Sequence, residues 1–268
     1  MHPRHFGTSR GRARLTASSR FQSILTVPIL FTRIQDAFVP VFRALVIASL
    51  LSACGKADAA RVAAPRAPSD TLTDAVLMAR ADLGRYEGSP TARIWIVMVS
   101  DFQCPYCRDW HDSTLTQVRQ TYVETGKARL AYLNLPLQGH RHAVAMAKAA
   151  LCAASQEKFW PYADAMFSRQ KTVANLGDVQ PLLHTLADSL KLDTAAFTHC
   201  NKSSAVTALL NSDLRQANQA NIRSTPSFFV GQFLLEGAVP FPSFKKAVDS
   251  ALVIAEAKAK TPAPGPAR

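Results

Sequence analysis

No second CxxC and no closely spaced histidine pair accompanies the one CxxC, Cys104 and Cys107, in this 268-residue chain. That shortage sets aside a structural zinc centre, which needs four ligands at recognisable spacing. His140 and His142 flank a turn and His111 stands alone on a helix, so no metal is expected. Acidic residues are scarce at the front, where residues 1–54 hold seven Arg and only Asp36. Half of the net charge of +12 therefore lies in those residues. The rest contains no block of Lys and Arg interleaved with aromatics, which leaves a solvated, mildly basic surface rather than a nucleic-acid interface. Long apolar runs are missing too: residues 42–54 are apolar but too short to cross a bilayer.

What is present suffices for a globular domain, since 48% of the residues are hydrophobic. The stretch "FRALVIASLLSAC" has an Arg, a short apolar run and a small-residue ending, the form of a secretory signal. Its last four residues resemble the lipobox of bacterial lipoproteins, with Cys54 as the residue that takes the lipid. Residues 55–75 are expected to be a flexible, Ala- and Pro-rich tether, and residues 259–268 a disordered tail. Export places the cysteines in an oxidising compartment, where a leftover thiol is a liability. With Cys54 lipidated, the closest spacing pairs Cys104 with Cys107 and leaves Cys152 with Cys200, although four cysteines allow three connectivities.

The run "TARIWIVMVSDF" reads as a buried strand over residues 93–100. Trp110, Leu115, Val118 and Tyr122 then recur at helical spacing until Gly126. Cys104 falls near the N-cap of that helix, with Pro105 in the first turn, where its missing N–H costs nothing. A second strand follows over residues 128–135, parallel to the first across the helix. A βαβ unit with CxxC at its first turn points to a thioredoxin-like redox motif. Residues 227–236 read as a hairpin about Gly231 and Gln232, and residues 241–258 as a closing helix. Between the halves, residues 139–220 offer only helical patterns. The fold class is α/β: a thioredoxin fold with an all-helical insertion between the βαβ half, residues 76–138, and the ββα half, residues 221–258.

"SDFQCPYC", "LPLQGHRHAVAMAKAALCAASQEKFWPYADAMF" and "STPSFFVG" occur in this order. Together they resemble the DsbA-like thioredoxin family of periplasmic and lipid-anchored thiol oxidoreductases, over residues 86–253. The resemblance implies that Cys104 is the exposed nucleophile and Cys107 the buried resolving thiol. It implies a cis-Pro226 facing the pair, with the Thr225 backbone binding an extended substrate peptide. It implies chemistry carried by cysteines, without a cofactor, on exported cysteine-containing proteins, and a membrane redox partner that recycles the pair. Physical reasons accompany these roles. A helix N-terminus favours a thiolate, and a cis turn leaves a strand end open for main-chain hydrogen bonds.

One departure is Met98, which stands six residues before Cys104, where many members of that family carry an acid. Asp101 lies nearby and reads equally well as a loop or capping carboxylate. Cys152 and Cys200 read as a structural staple across the insertion, with a second redox centre or two buried free thiols as alternatives. Phe159, Trp160, Tyr162 and Phe167 read as core, and His111 as surface. The expected function is the introduction of disulfides into exported proteins from the periplasmic face of the bacterial envelope. A reductase or isomerase on the same fold, or a non-catalytic peptide-binding holdase, remains open.

Overall fold

The computed structural model describes residues 73–260 and, for the backbone alone, Thr16–Ala17. These belong to the compact unit formed by Met1–Leu25 and Leu72–Arg268. Apart from Thr16–Ala17, the expected signal segment with Cys54, and the expected tether as far as residue 72, lie outside the described residues. The tail from residue 261 does as well.

Among the described residues six strands, numbered β1 to β6 along the chain, form one mixed sheet in the order β1-β6-β5-β3-β4-β2. The central strands β3 (Ile94–Ser100) and β4 (Ala128–Asn134) are parallel, in register from Ile94 opposite Ala128 to Ser100 opposite Asn134. Such a pair needs a crossover, supplied by the helix after the CxxC. On the other side β5 (Ser227–Val230) runs antiparallel to β3, and β6 (Phe233–Glu236) antiparallel to β5. Gly231 closes that hairpin at φ 56° and donates its N–H to the Trp95 carbonyl at 3.0 Å, which ties the turn to β3. This positive φ is cheap only for glycine. The edges are the short β2 (Tyr86–Glu87), antiparallel to β4, and β1 (Thr16–Ala17), antiparallel to β6. Neither edge strand is legible in the sequence, because two residues carry no period.

Alternation along β3 divides the core. Ile94, Ile96 and Met98 join the large cluster beneath the helices, while Val97 and Val99 join Leu133, Phe229 and Ile222 on the opposite face. Both faces are covered, which explains the continuous apolar run.

The helix carrying the CxxC is not uniform. It opens as α2 (Pro105–Trp110), widens to a π-turn at His111–Leu115, returns to α-helix in α3 (Thr116–Val118) and widens again at Arg119–Val123. Near its end the Tyr122 hydroxyl donates to Asp249 at 2.7 Å, on the closing helix α10 (Phe241–Lys260).

Between β4 and β5 every described element is a helix: α4 (Ala143–Ala154), α5 (Phe159–Ser168), α6 (Gln170–Val173), α7 (Gln180–Ser189), α8 (Thr194–Lys202) and α9 (Ser204–Gln219). Ala-rich α4 is buried almost all round and forms the hub of this layer. Helix α1 (Asp74–Gly84), unanticipated from sequence, packs on it so closely that a Cβ at Gly84 would run into the Ala154 carbonyl. It starts two residues before the expected limit of 76, and α10 ends two residues beyond the expected 258.

Arg85, just past α1, pins this layer to the sheet. Its Nη1 donates to both Asp213 oxygens at 2.6 Å and its Nη2 to Asp82, while Asp213 also accepts from the Asn134 N–H and side-chain amide. Burial disfavours the guanidinium charge, but the two carboxylates outweigh it and raise the Arg85 pKa. Breaking such a buried pair at one partner costs about 3–5 kcal/mol.

Candidate active site at the Cys104–Cys107 junction

β3 ends at Ser100, and the loop to α2 is anchored at Asp101. The Asp101 carboxylate accepts from the Gln103 N–H at 2.7 Å and the Leu137 N–H at 2.8 Å, and meets His140 Nδ1 at 2.7 Å. All of its directed contacts thus hold loops together, and the capping reading of Asp101 is the one the geometry supports.

Cys104 is the N-cap of α2, in extended conformation, with Pro105 at the first helical position. The Cys104 carbonyl accepts from the Cys107 and Arg108 N–H groups at 3.1 and 3.2 Å. It also accepts from Gln170 Nε2 at 2.9 Å, and the same amide donates to the Phe102 carbonyl at 2.8 Å. Gln170 opens the one-turn helix α6 and carries no sequence signal for this role. The chain fold brings it 66 residues back to the CxxC loop.

The Cys104 thiol donates to the Thr225 carbonyl at 3.4 Å, and the Thr225–Pro226 peptide bond is cis. Thr225, Pro226 and the cysteine pair are therefore assembled at one place from opposite ends of the domain. Both sulfurs are unbonded. The resemblance implies an exposed Cys104, whereas its relative exposure is only 3%, because the sulfur packs against the Thr225 backbone. The exposed side chains between the cysteines are Pro105 and Tyr106, the latter at 64%.

The two thiols differ sharply in proton affinity. The Cys104 pKa is lowered from 9.0 to about 6, chiefly because the Cys107 thiol donates to its sulfur. Burial opposes this, while Thr225 and the N–H groups of Tyr106 and Cys107 reinforce it. Burial pushes the Cys107 pKa well up, and the neighbouring Cys104 pushes it further. One sulfur of the pair is thus suited to exist as a thiolate and the other as a thiol.

Apolar packing fixes the helix beneath them. Trp110 lies against Phe228 and Phe244, with ring centroids 4.4 and 5.3 Å away. Phe159, Tyr162 and Phe167 are fully buried and Trp160 partly so. His111 is not a surface residue as the sequence suggests: its Nε2 meets Asp164 at 2.8 Å and its ring lies 4.6 Å from that of Phe167. His111 follows Cys107 by one helical turn, its N–H donating to the Cys107 carbonyl, so it shares the flank that faces α5. The His111 and Arg119 contacts hold the Asp164 carboxyl below its usual pKa against the opposing effect of burial.

Cys152 on α4 and Cys200 on α8 form a disulfide with Cα atoms 5.7 Å apart. Among the described residues no three His, Cys, Asp or Glu side chains group as metal ligands. No described helix is long and apolar enough to cross a membrane.

A thioredoxin family model matches residues 81–250. The chain is 28% identical over 168 residues to a probable disulfide bond formation protein D of Bacillus anthracis, covering 62% of this chain and 76% of that one. Among solved structures, oxidised BdbD of Bacillus subtilis superposes with a TM-score of 0.59 at 18% identity, over 64% of this chain and 94% of that one. Wolbachia pipientis alpha-DsbA1 superposes with a TM-score of 0.58 at 22% identity, over 66% and 94%. In these solved structures the likeness is one of fold.

Proposed function

The chain belongs to the thioredoxin family, and from that premise we propose that it is a DsbA-like thiol:disulfide oxidoreductase that introduces disulfides into exported proteins. The observation that carries the reading is the asymmetry of the pair: a Cys104 thiol lowered to about 6 at a helix N-terminus, beside a buried Cys107 held well above the ordinary value. The likeness to a disulfide bond formation protein supports it.

In the oxidised pair Cys104 receives the attack of a substrate thiolate. The Cys104–Cys107 bond breaks, a mixed disulfide forms and the electron pair leaves on Cys107. A second substrate thiolate then attacks the substrate sulfur and expels Cys104, so the substrate leaves oxidised and the protein reduced. Cys104 is a good leaving group for the same reason that its pKa is low. Thr225 and Pro226 form the docking edge for the substrate peptide through main-chain hydrogen bonds, which tolerate many sequences.

Reoxidation calls for an electron acceptor outside this chain, which we assign to a membrane redox partner on the periplasmic face. Cys54 is the proposed lipid anchor. Cleavage before it would remove β1 and leave β6 as the sheet edge.

The test is a reduction potential, from equilibration with graded glutathione buffers and trapping of Cys104 by alkylation. A value near ~−120 mV marks an oxidant. A value of ~−200 mV or lower marks a reductase or isomerase. Absence of exchange returns the chain to the class of peptide-binding proteins.

A further inference from the structure

Three hydroxyls beside the pair are buried without hydrogen bonds: that of Thr225 on the Cys104 side, and those of Ser100 and Tyr132 on the Cys107 side. Ser100 is the only polar residue of β3, on the face that it shares with Ile94, Ile96 and Met98. Tyr132 lies opposite Met98 in the parallel register, one step from Ser100 on the same face. Its ring is fixed by stacking on Phe102 at 5.0 Å and by an edge contact with Phe159 at 5.1 Å. Away from the pair, Tyr122 and Tyr162 keep their hydroxyls bonded. Tyr122 donates to Asp249 at 2.7 Å and Tyr162 to the Leu183 carbonyl at 2.8 Å. A buried hydroxyl left without a partner costs folding free energy and asks for a reason.

The reason lies in what adjoins them. Ser100 Oγ neighbours both the Cys107 sulfur and the Tyr132 hydroxyl, without completing a hydrogen bond to either in the reduced protein. A neutral thiol is a weak acceptor, so neither hydroxyl has a strong partner while Cys107 keeps its proton. A thiolate is a strong acceptor. The two nearby positions of the strand and loop supply no donor: position 98 is Met, and the Asp101 carboxylate, itself an acceptor, is held by Gln103, Leu137 and His140. The titratable groups facing Cys107 are Cys104, Tyr132 and Asp101, and Asp101 offers it only a backbone N–H.

We propose that Ser100 is a catalytic residue that donates a hydrogen bond to the departing Cys107 sulfur, and that Tyr132 is a positioning residue that donates to Ser100 in turn. This inference rests on the oxidoreductase reading above. When a substrate thiolate attacks Cys104, the S–S bond breaks and its electron pair passes to Cys107. The Ser100 O–H then turns onto that sulfur and the Tyr132 O–H onto Ser100 Oγ. No proton has to be transferred, because the charge brought by the attacking thiolate ends on Cys107. A thiol stabilised as thiolate leaves faster. The second step, in which Cys104 leaves, gains nothing from these hydroxyls. The device therefore separates the two half-reactions.

The experiment mixes the oxidised full chain with reduced glutathione, quenches with acid and follows the Cys104 peptide by mass spectrometry, so that formation and resolution of the mixed disulfide are timed separately. Ser100→Ala is expected to slow formation roughly three- to tenfold, and Tyr132→Phe about twofold to threefold, with resolution unchanged. Tyr162→Phe, which removes an equally buried hydroxyl far from the pair, is expected to change neither step. If Tyr132→Phe fails to fold, Ser100→Ala decides by itself, since it removes one oxygen with little change in packing. Formation at the parental rate in Ser100→Ala, equal slowing of both steps, or the same slowing in Tyr162→Phe would overturn the inference. A parent chain that forms no mixed disulfide defeats the oxidoreductase reading itself, whereas an exchanging parent with unaffected variants defeats only the role of these hydroxyls.

Discussion

Two cysteine pairs sit in this chain, and their surroundings are opposite. Cys104 and Cys107 straddle the first turn of α2, with backbone N–H groups, the Thr225 side chain and the Ser100 hydroxyl around their sulfurs. Cys152 and Cys200 lie inside α4 and α8, within the large hydrophobic cluster, and are joined. Among the described residues no hydrogen bond reaches either sulfur of the second pair. Reactivity does not come from the sulfur but from whether a thiolate has anything to hold it. The first pair can open and close because one of its ends is stabilised as an anion; the second offers an anion nothing.

The largest expected effect tests that contrast directly. Cys104→Ser abolishes exchange with glutathione, whereas the double substitution Cys152→Ala with Cys200→Ala leaves it within about twofold, because the second pair is fully buried and lies apart from the CxxC loop. Mixed-disulfide trapping on both proteins reads the outcome. Comparable losses in the two would mean that the second pair takes part in electron transfer, and the contrast would collapse.

The same double substitution should show instead in stability. Closing a loop across 48 residues is worth about 4 kcal/mol in the chain-entropy description. Its removal is expected to lower the melting temperature by roughly 10 °C. A drop of the same size in Cys104→Ser, measured in the reduced state where no bond is lost, would erase the division into a working pair and a staple.

Much of this division is legible in the sequence because both of its ends are written locally. Strand, CxxC and helix follow one another within about thirty residues, and the hairpin at residues 227–236 has the limits its turn glycine and Phe-rich apolar run suggest. Illegible are the features that depend on distant chain segments. Helix α1 has its apolar residues bunched at Ala75 to Ala79 instead of spaced along a face, since it only has to place Leu77 and Ala81 against α4 and α9. Gln170 is an unremarkable residue of a four-residue helix until the fold brings it to the Cys104 carbonyl. His111 reads as surface because it stands two turns beyond Cys104, and its partners Asp164 and Phe167 lie some fifty residues further along the chain.

Gln170 gives a subtler way to sharpen the comparison, since it is the link by which the helical region holds the reactive loop. Gln170→Met keeps the length but removes both donated hydrogen bonds. The Phe102 carbonyl loses this amide, while the Cys104 carbonyl retains its two helical donors. A cost of about 1–3 kcal/mol follows for the buried acceptor. Denaturant unfolding measures it, with exchange slowed and not abolished. An unchanged midpoint would show that the loop is held by α2 alone.

The smallest effect is the pH dependence of the reduction potential, and it follows from the asymmetry of the two thiols. Below about 6 both Cys104 and Cys107 of the reduced pair carry protons, so reduction takes up two protons and the potential falls by ~59 mV per pH unit. Above that value Cys104 is a thiolate while Cys107, held well above 9.0, keeps its proton. Only one proton is then taken up, and the slope halves to ~30 mV per pH unit. Stability obeys the same sign. A thiol whose folded pKa is depressed stabilises the reduced protein above its unfolded value and loses that contribution as pH falls through about 6. The disulfide-closed pair has no such titration, and neither does the Cys152–Cys200 bond. The reduced protein should therefore gain on the oxidised one between pH 6 and 8, a window that stops short of the range in which the raised Cys107 pKa acts in the opposite sense. A potential that falls by the two-proton slope across this whole window would mean that Cys104 is not held as a thiolate, and the difference between the two pairs would need another cause.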